Sequence, residues 1–464
     1  MSKTVLLFDT WITSPQVETS LEIAEDHVEA GDKVYLVNIS QNIEFQEWHS
    51  NVTPERKFKN TCKLEYIKSI CNYKGIIFSK ELLKNNNVQN ILPSTIINIE
   101  DLKKFEYNGF DFGMAIASSL ISRTKQLEPS LSEYKDLIEE MVVSSLTAYS
   151  SFKAWIHKIQ PDLIYIRNGR TVLNRPLLRY AQQHNLKIKV HETAGLEGKY
   201  RYSINDTYIH DRSYRNQLIK KTWYESPYSF DEKKTQVEQF YANRRKGHTM
   251  HLDFTKKMQD GSLPKTFNSF EHNIAYFTSS TTEIAAIDKN NRADTIFESQ
   301  FDSVKKIASW LCDKENVKLY LRLHPNTKRK FKYEYDEWLS LSKSLGNSIY
   351  FIDSDSNVDS YALAQACDKV IVHVSTMGLE SVMLNKPVIG NSFYNELGSC
   401  YVPKTHEECK ELVVSKNLEP KPKIGAYMFA YHENSWGIPY KRFVPYSNRR
   451  FYGEYEGIDL EKAY

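Results

Sequence analysis

The chain has 464 residues, of which 41% are hydrophobic and 26% charged, so it is long enough for two soluble domains that each bury a core. Its net charge of +3 lacks the strong basic excess of a nucleic-acid-binding protein, and no apolar run is long enough to span a membrane. The six cysteines are scattered without zinc-ligand spacing, so we expect a reduced, cytoplasmic protein that binds no nucleic acid.

The N-terminal residues predict a strand, a helix and a second strand. Apolar residues form the strand from Thr4 to Phe8, without the hydrophobic region and cleavage site of a signal peptide. An amphipathic pattern from Glu18 to Ala30 predicts a helix, and Val34 to Val37 follow as the next strand. Asp9 stands at the carboxyl end of the first strand, where ligands bind in open parallel sheets, so it is a candidate acceptor contact.

A further strand in this half ends in polar residues. After a helix predicted from Leu131 to Ile159, the short strand from Asp162 to Ile166 is followed by Asn168 and Arg170. An amide and a planar guanidinium suit an acceptor's carboxylate, phosphate or hydroxyl groups. The alternation of short apolar strands with helices, one of them opened by Arg175-Pro176, predicts a parallel, doubly wound sheet.

Glu192 is the first candidate for a catalytic base. It comes soon after the predicted strand from Lys187 to Val190, and the four residues that begin with it are typical of a turn that presents a carboxylate to a cleft between domains. The alternative is that Glu192 caps the next element or pairs with Arg170. His191 is a reserve candidate for the base, as is the aspartate after the first strand.

The region from about Ser213 to Phe270 is rich in Lys, Arg, Gln and Tyr, and it is expected to be helical and connecting. A second series of strands and helices then begins with the strand from Asn273 to Phe277. Ser279, Ser280 and Glu283 follow this strand in a predicted turn that can contact a nucleotide or a sugar.

The strand that begins at Val317 stops abruptly in polar residues. His324 can donate a hydrogen bond to a phosphate oxygen or stabilise a leaving phosphate, and Asn326 follows it in the same turn. Arg322 is a secondary candidate for the phosphate charge, with a structural ion pair as the alternative. A His-Pro pair by itself is more often a turn than a site, so the interpretation depends on the next strand as well.

The segment from Val370 to Ile389 predicts a buried strand, a polar turn, a helix and a second buried strand. Ser375 and Thr376 lie at the turn, where hydroxyls and backbone N–H groups suit a phosphate. Gly378 permits close approach of the backbone, and Glu380, one helical turn beyond Thr376, can accept hydrogen bonds from ribose hydroxyls. The alternative is an ordinary strand-helix unit in which Ser-Thr only caps the helix.

Together these motifs resemble the soluble GT-B-like glycosyltransferases of bacterial surface polysaccharides, which include capsule-synthesis proteins and Kdo transferases, and more distantly the polyglycerol-phosphate polymerases. The resemblance spans about Asp162 to Pro403. Ser381 departs from the small residue usual after the glutamate and leaves the predicted helix intact. The residues that carry the resemblance are Tyr276 to Ser280 with Glu283, Arg322 to Asn326, Asp353 to Asp355, Val358 to Leu363, Ser375 to Glu380 with Lys386-Pro387 and, more weakly, Asn168 to Arg170, Arg175-Pro176 and Glu192.

The resemblance implies an α/β, GT-B-like fold with two Rossmann-like domains whose parallel sheets face a central cleft. The expected parts are an acceptor-side domain at 1–225, a helical connection at 226–270, a nucleotide-sugar-binding domain at 271–417 and a tail at 418–464 that crosses back to the first domain. A basic aromatic patch in the tail, Tyr440 to Phe443 with Arg449 to Tyr452, is a candidate for contact with anionic lipid headgroups at the inner face of the cytoplasmic membrane.

The function implied is transfer of a sugar from a nucleotide-activated donor, either CMP-Kdo-like or a nucleoside diphosphate sugar, to a growing capsule, lipopolysaccharide or O-antigen glycan or to a lipid-linked glycan. The catalytic candidates are Glu192 and His324. The acceptor-side candidates are Asp9, Asn168 and Arg170, and the donor-side candidates are Ser279, Ser280, Glu283, Arg322, His324, Asn326, Ser375, Thr376, Gly378 and Glu380.

No cofactor is expected, because the nucleotide sugar is itself a substrate. Asp353-Ser-Asp355 is better explained as a loop before a helix than as a Mg²⁺ site, so we expect metal-independent transfer. A polyol-phosphate transferase of the CDP-glycerol type, a nucleotide-sugar 2-epimerase and a non-catalytic glycan-binding or scaffold protein are the alternatives. The sequence leaves open the donor sugar, the acceptor and whether the anomeric configuration is retained or inverted.

Overall fold

The structure is a computed structural model, and it describes residues 2–47, 53–83, 91–194, 201–208, 210–246, 260–267, 272–280, 285–287, 296–330, 332–390, 397–446 and 449–462. Two compact units are found in the chain. The first comprises Met1–Asp211, Ala285–Ile287 and Gly437–Tyr464, and the second comprises Arg212–Ile284 and Asp288–Trp436. Glu283, a predicted donor contact, and Gly195, the last residue of the predicted turn, lie outside the described residues.

The strands are, in chain order, β1 (Thr4–Asp9), β2 (Lys33–Asn38), β3 (Ile77–Ser79), β4 (Leu163–Arg167), β5 (Ile188–Ala194), β6 (Arg201–Asn205), β7 (His272–Phe277), β8 (Val317–Arg322), β9 (Tyr350–Ile352), β10 (Lys369–Val372), β11 (Val388–Gly390), β12 (Ile438–Pro439), β13 (Phe443–Tyr446) and β14 (Arg449–Tyr455).

The α-helices are α1 (Gln16–Glu29), α2 (Pro54–Lys74), α3 (Ile99–Lys104), α4 (Phe112–Thr124), α5 (Lys135–Ile159), α6 (Arg175–Gln183), α7 (Arg212–Tyr224), α8 (Phe230–Arg245), α9 (Gln300–Leu311), α10 (Thr327–Lys330), α11 (Lys332–Leu345), α12 (Ser360–Ala366), α13 (Met377–Met383), α14 (His406–Val414) and α15 (Ile424–Ser435). In the described parts of the chain, no helix is both long and apolar enough to cross a membrane.

The first unit is built on a sheet with the strand order β12-β6-β5-β4-β1-β2-β3. β1 pairs in parallel with β2 and β4, and β4 pairs in parallel with β5. Val5 and Leu7 of β1 share a buried core with Leu21 and Ala24 of α1. This central part of the sheet agrees with the predicted alternation of buried strands and helices.

One edge of this sheet differs from the prediction. β5 continues to Ala194 and pairs with β6 in antiparallel orientation, with Glu192 opposite Ser203. β12 then pairs with β6, also antiparallel, with Ile438 opposite Tyr202. The prediction of a turn beginning at Glu192 is therefore wrong, because the backbone at this position is paired with a neighbouring strand.

The C-terminal segment of the first unit is held on α1 by ion pairs. Arg442 lies 3.2 Å from Glu22, 3.0 Å from Glu25 and 3.1 Å from Asp26, measured between guanidinium nitrogens and carboxylate oxygens. Glu22 and Glu25 are buried. A buried carboxylate needs such a partner, since an unpaired charge would be costly to remove from water.

The aromatic neighbours of Arg442 are also part of this unit's interior. Phe443 is buried in the same core cluster as the side chains of β1, and Tyr440 packs against that cluster. Tyr440 forms a hydrogen bond with Thr19 of α1 at 2.5 Å. Tyr440, Arg442 and Phe443 are therefore not displayed as a lipid-binding surface, contrary to the prediction for this half of the patch.

The second unit contains a parallel sheet with the strand order β11-β10-β7-β8-β9. Ile274 and Tyr276 of β7 share one core with residues of α9, α11 and α14. Ala275 and Phe277 share another with residues of α7, α8, α12, α13 and α15. Because successive residues of a strand point to opposite faces, helices cover both faces of the sheet, which is the doubly wound arrangement.

The predicted α/β class is confirmed. Each unit carries a mostly parallel sheet with helices packed against it. A GT-B-like chain consists of two such Rossmann-like units.

Candidate functional site

Three neighbouring strands of the second unit end at the same level of the sheet. Val372 of β10 is the register partner of Phe277 in β7, and Phe277 is the partner of Arg322 in β8. The loops after these strands therefore start side by side at the carboxyl edge, where parallel sheets bind ligands. The predicted donor residues after Phe277, Arg322 and Val372 are thus placed on one edge of one sheet.

His324 is fixed by two hydrogen bonds in the loop after β8. Its backbone N–H donates to Oγ1 of Thr278 at 2.9 Å, which joins the ends of β7 and β8. The backbone N–H of Asn326 donates to Nδ1 of the His324 ring at 3.2 Å. A ring nitrogen that accepts a hydrogen bond carries no proton, so in the neutral form of this ring the proton is on Nε2.

The loop after β7 is held by the first residue of α9. Gln300 accepts from the backbone N–H of Ser279 at 3.2 Å and donates to the Ser279 carbonyl at 2.7 Å. The side-chain hydroxyl of Ser279 is buried and has no hydrogen-bond partner among the described residues. Ser280 is half-buried next to it. These backbone bonds fix the loop without using the Ser279 hydroxyl.

Arg322 has a structural role in the loops at this edge. Its side chain is 2% exposed and donates to the backbone carbonyls of Asp353 and Ser356, the latter at 3.3 Å. Burial lowers the pKa of Arg322 to about 10, although Asp353 and Asp355 oppose that effect. The guanidinium thus stabilises the loop after β9 by donating to its backbone carbonyls.

The two aspartates of that loop also have protein partners. Tyr335 donates to Oδ2 of Asp353 at 2.7 Å, and Lys328 donates to Asp355 at 2.5 Å. Within the described ranges, no cluster of three or more His, Cys, Asp or Glu side chains is placed to hold a metal ion.

Ser375 lies in the turn before the short helix α13. Its hydroxyl accepts a hydrogen bond from the backbone N–H of Met377 at 3.3 Å, and its carbonyl accepts from Gly378 at 3.1 Å. Ser375 and Thr376 are half-buried, while Gly378 is buried. Thr376, the N-cap residue of this helix, makes no side-chain cap hydrogen bond, so the capping alternative is not what the structure shows.

Glu380 is 4% exposed and is bound by protein side chains through both carboxylate oxygens. Arg244 of α8 donates to Oε1 at 2.9 Å, and the hydroxyl of Tyr361 in α12 donates to Oε2. The same Arg244 nitrogen lies 3.3 Å from the hydroxyl of Thr376. Burial works to lower the pKa of Arg244, but Glu380 outweighs it and raises this pKa above its usual value.

Arg244 was missed by the sequence analysis, while Tyr361 lies in the stretch from Val358 to Leu363 that carried the resemblance but was not itself a site candidate. Arg244 belongs to a region rich in Lys and Arg, and nothing in its local pattern distinguishes it from the neighbouring charged residues. A carboxylate oxygen can accept more than one hydrogen bond, so Glu380 retains capacity for a further donor.

The first unit brings together most of its predicted site residues at the carboxyl ends of β4 and β5. Asn168, in a left-handed backbone conformation with φ of 61°, donates from its amide to Oε2 of Glu192 at 2.8 Å. Arg167 lies 3.4 Å from Oε1 of the same carboxylate. Burial works to raise the pKa of Glu192, but Arg167 and Asn168 outweigh it and hold this pKa below its usual value.

The neighbouring residues of this edge differ from Glu192 in their ionisation. Asp9 is buried and accepts a hydrogen bond from Ser20 at 3.0 Å. Burial raises the pKa of Asp9 to about 7, with Ser20 and the charge of Arg167 opposing it. Burial also lowers the pKa of His191 to about 4, so this histidine is neutral at pH 7.

Arg167 and Arg170 have different surroundings. The Arg167 guanidinium lies over the ring of Trp11, 3.6 Å from its centroid, in a cation–π arrangement. The backbone N–H of Arg170 donates to the side-chain oxygen of Asn168 at 3.1 Å, and its charge helps to offset the burial that raises the pKa of Glu47. Arg167, which the sequence analysis did not single out, is thus the arginine paired with Glu192.

Residues 257–443 match the family model described as "Capsule polysaccharide biosynthesis protein". Over this part, the resemblance to capsule-synthesis proteins is confirmed. The matched region contains β7, β8 and β10, whose carboxyl ends carry the donor-side residues described above.

No curated protein sequence is detectably similar to the chain. Among solved structures, the chain is similar to two Thermosulfurimonas dismutans KpsC structures. The β Kdo 2,4 transferase is 15% identical to this chain, with a TM-score of 0.38, and the alignment covers 58% of this chain and 79% of the transferase. The β Kdo 2,7 transferase has 12% identity and a TM-score of 0.34, covering 63% and 86%. A Methanocaldococcus jannaschii UDP-GlcNAc 2-epimerase has 10% identity and a TM-score of 0.27, covering 92% and 98%.

Proposed function

We propose that this chain is a metal-independent glycosyltransferase of capsule or related surface-polysaccharide biosynthesis. It transfers a sugar from a nucleotide-activated donor, CMP-Kdo-like or a nucleoside diphosphate sugar, to a growing or lipid-linked glycan. The observation that carries the proposal is the placement of Ser279, His324 and Ser375 at three adjacent strand ends within the region matched by the capsule-biosynthesis family model. Parallel sheets bind nucleotide ligands at this edge.

On the donor side, the second unit binds the nucleotide and stabilises the leaving phosphate. Negative charge accumulates on that phosphate as the glycosidic bond breaks, so donors aimed at it lower the barrier. His324 supplies the Nε2–H, because its Nδ1 already accepts from Asn326. The hydroxyls of Ser375 and Thr376 supply further donors.

On the acceptor side, the first unit contacts the glycan through Asn168 and Arg170, and a carboxylate takes the proton of the attacking hydroxyl. The efficiency of a general base is greatest when its pKa lies near the working pH. Asp9, with a pKa of about 7, meets this condition better than Glu192, whose pKa lies below its usual value. We therefore propose that Asp9 accepts the proton. Glu192 instead orients Arg167 and Asn168.

The test is nucleotide binding by the purified 464-residue chain. CMP, UDP, GDP, TDP and CDP-glycerol are screened by thermal shift, and each nucleotide that raises the melting temperature is titrated by calorimetry. The variant His324→Ala is expected to bind the selected nucleotide about tenfold more weakly or worse, because it loses a hydrogen bond to a charged group. His157→Ala, an exposed histidine in the first unit, is the control.

The outcomes separate the candidate functions. Binding of a nucleotide that His324→Ala weakens and His157→Ala leaves unchanged supports a donor site. Preference for CDP-glycerol would favour the polyol-phosphate transferase. Absence of binding by any of these nucleotides would overturn the transferase and favour a glycan-binding or scaffold protein.

A further inference from the structure

Three buried polar side chains near the carboxyl edge of the second sheet each have an unpartnered atom. Ser279 is 7% exposed, Asn326 is 8% exposed and His373 is 5% exposed. Ser279 Oγ, Asn326 Oδ1 and His373 Nδ1 have no hydrogen-bond partner among the described residues. Leaving a buried polar atom without a partner costs about 1–3 kcal/mol. A folded protein tolerates that cost most readily where a ligand supplies the partner.

These residues come from adjacent loops. His373 directly follows β10, Ser279 follows β7, and Asn326 follows β8. The last residues of these strands are register partners, so the three loops leave the sheet side by side. Asn326 is also tied to His324 through its backbone, which places it in the same turn as the proposed phosphate contact.

The chemistry of the three atoms indicates what they bind. A side-chain amide oxygen only accepts hydrogen bonds, so the partner of Asn326 Oδ1 must donate, and a phosphate oxygen without a proton cannot. Burial lowers the pKa of His373 to about 4, which leaves its ring neutral at pH 7. A serine hydroxyl both donates and accepts. A neutral group that donates and accepts at neighbouring positions, such as adjacent hydroxyls of a sugar ring, matches all three atoms.

We propose that Ser279, Asn326 and His373 form a subsite for the hydroxyl groups of a sugar ring in the donor, next to the phosphate contacts of His324. The inference rests on the proposed function and adds His373, which neither the sequence analysis nor the assignment of donor contacts included. Two parts of a nucleotide sugar share this chemistry, the ribose and the transferred sugar.

Replacing His373 is expected to leave the stability of the free protein equal or higher if the residue binds a ligand. It is expected to lower that stability if the residue has a structural role. If a bound hydroxyl is the partner of His373, an apolar side chain of similar size removes an unpartnered buried atom from the free protein and leaves its melting temperature equal or higher. His432 provides a matched control in the same unit. It is also buried, with its pKa lowered to about 4, but its Nδ1 is hydrogen-bonded to the Thr222 hydroxyl at 2.9 Å.

The experiment measures melting temperature and ligand affinity for four variants of the 464-residue chain, namely Ser279→Ala, Asn326→Leu, His373→Leu and the control His432→Leu. The probes are UDP and CMP, their 2′-deoxy counterparts, UDP-glucose and CMP-Kdo. We expect the three subsite variants to melt at or above the temperature of the native chain and to lose about threefold to tenfold in affinity each. We expect His432→Leu to melt at a lower temperature with unchanged affinity.

The probes distinguish the two sources of hydroxyls. Loss of affinity for the ribonucleotide but not for its 2′-deoxy counterpart assigns the subsite to the ribose. Loss confined to the nucleotide sugars assigns it to the transferred sugar. Unchanged affinity in all three variants, or melting temperatures lowered as far as that of His432→Leu, overturns the subsite while the proposed function stands. A native chain that binds none of the probes overturns both.

Discussion

Arg244 in α8 donates to Oε1 of Glu380 in α13 at 2.9 Å, and the same nitrogen lies 3.3 Å from the hydroxyl of Thr376. The second carboxylate oxygen accepts from Tyr361. A buried glutamate that the sequence assigns to ribose binding is therefore already bonded to side chains of two other helices. The contacts of Arg244 with Glu380 and Thr376 fix α8 to the turn after β10 and to the helix that follows it.

Replacing Arg244 by alanine is expected to destabilise the second unit. The variant leaves the buried Glu380 carboxylate without its cation, and losing a hydrogen bond to a charged group costs about 1.5–3 kcal/mol. Arg245→Ala is the control, because Arg245 is the adjacent, exposed arginine of the same helix. Urea unfolding followed by tryptophan fluorescence measures both, and equal midpoints for the two variants would contradict the role of the Arg244–Glu380 pair.

Arg442 is expected to be as important for the stability of the first unit as Arg244 is for the stability of the second. Arg442→Ala removes the cation that faces Glu22, Glu25 and Asp26. The buried Glu22 loses its ion pair, while Glu25 keeps Lys74 at 2.9 Å, so we expect a cost of about 3 kcal/mol. The adjacent Lys441 is more exposed and pairs with Asp26, which is only partly buried, so Lys441→Ala should change stability much less. Limited proteolysis of the C-terminal segment gives the measurement, and equal resistance of the two variants would disprove the argument.

The sequence predicted the sheets best where strands are buried on both faces. Parallel strands covered on both sides are nearly continuous apolar runs, and Val370 to Val374 indicated β10 for this reason. β6 was not predicted, because its five residues mix charged, polar and apolar side chains without a clear alternation. Its neighbour β12 has two residues and comes from a distant part of the chain, so only tertiary pairing shows it.

The placement of the candidate residues at one sheet edge was predictable from the sequence, but their contacts with other side chains were not. Strand ends in a parallel sheet meet at one edge, so Ser279, His324 and Ser375 could be placed together from their positions in the sequence. Arg244, one of the two partners of Glu380, lies 136 residues away in another helix. A contact of that kind leaves no local pattern in the sequence.

The proposed base predicts where activity falls at low pH. If Asp9 accepts the proton, kcat/KM should fall below about pH 7, because its pKa is about 7 and the protonated form cannot act as a base. Glu192, with a pKa below its usual value, would place that decrease at a much lower pH. The profile is measured with the nucleotide sugar selected by binding. Glu192→Gln should keep the decrease near pH 7 and Asp9→Asn should abolish it, and the reverse pattern would assign the base to Glu192.

The same aspartate predicts how stability depends on pH. The pKa of Asp9 is raised in the folded chain from about 3.8 to about 7, so between these values the folded state holds a proton that the unfolded state has lost. Stability from this group is therefore fully present below about pH 4, falls as pH rises towards 7 and is constant above that, by an amount on the order of a few kcal/mol. Asp9→Asn carries no titrating proton, so its advantage over the native chain should grow from pH 5 to pH 7 and then level off. Melting temperatures of both chains at pH 5, 6, 7 and 8 test this, and a constant difference across the series would show that the buried Asp9 carboxyl does not titrate in this range.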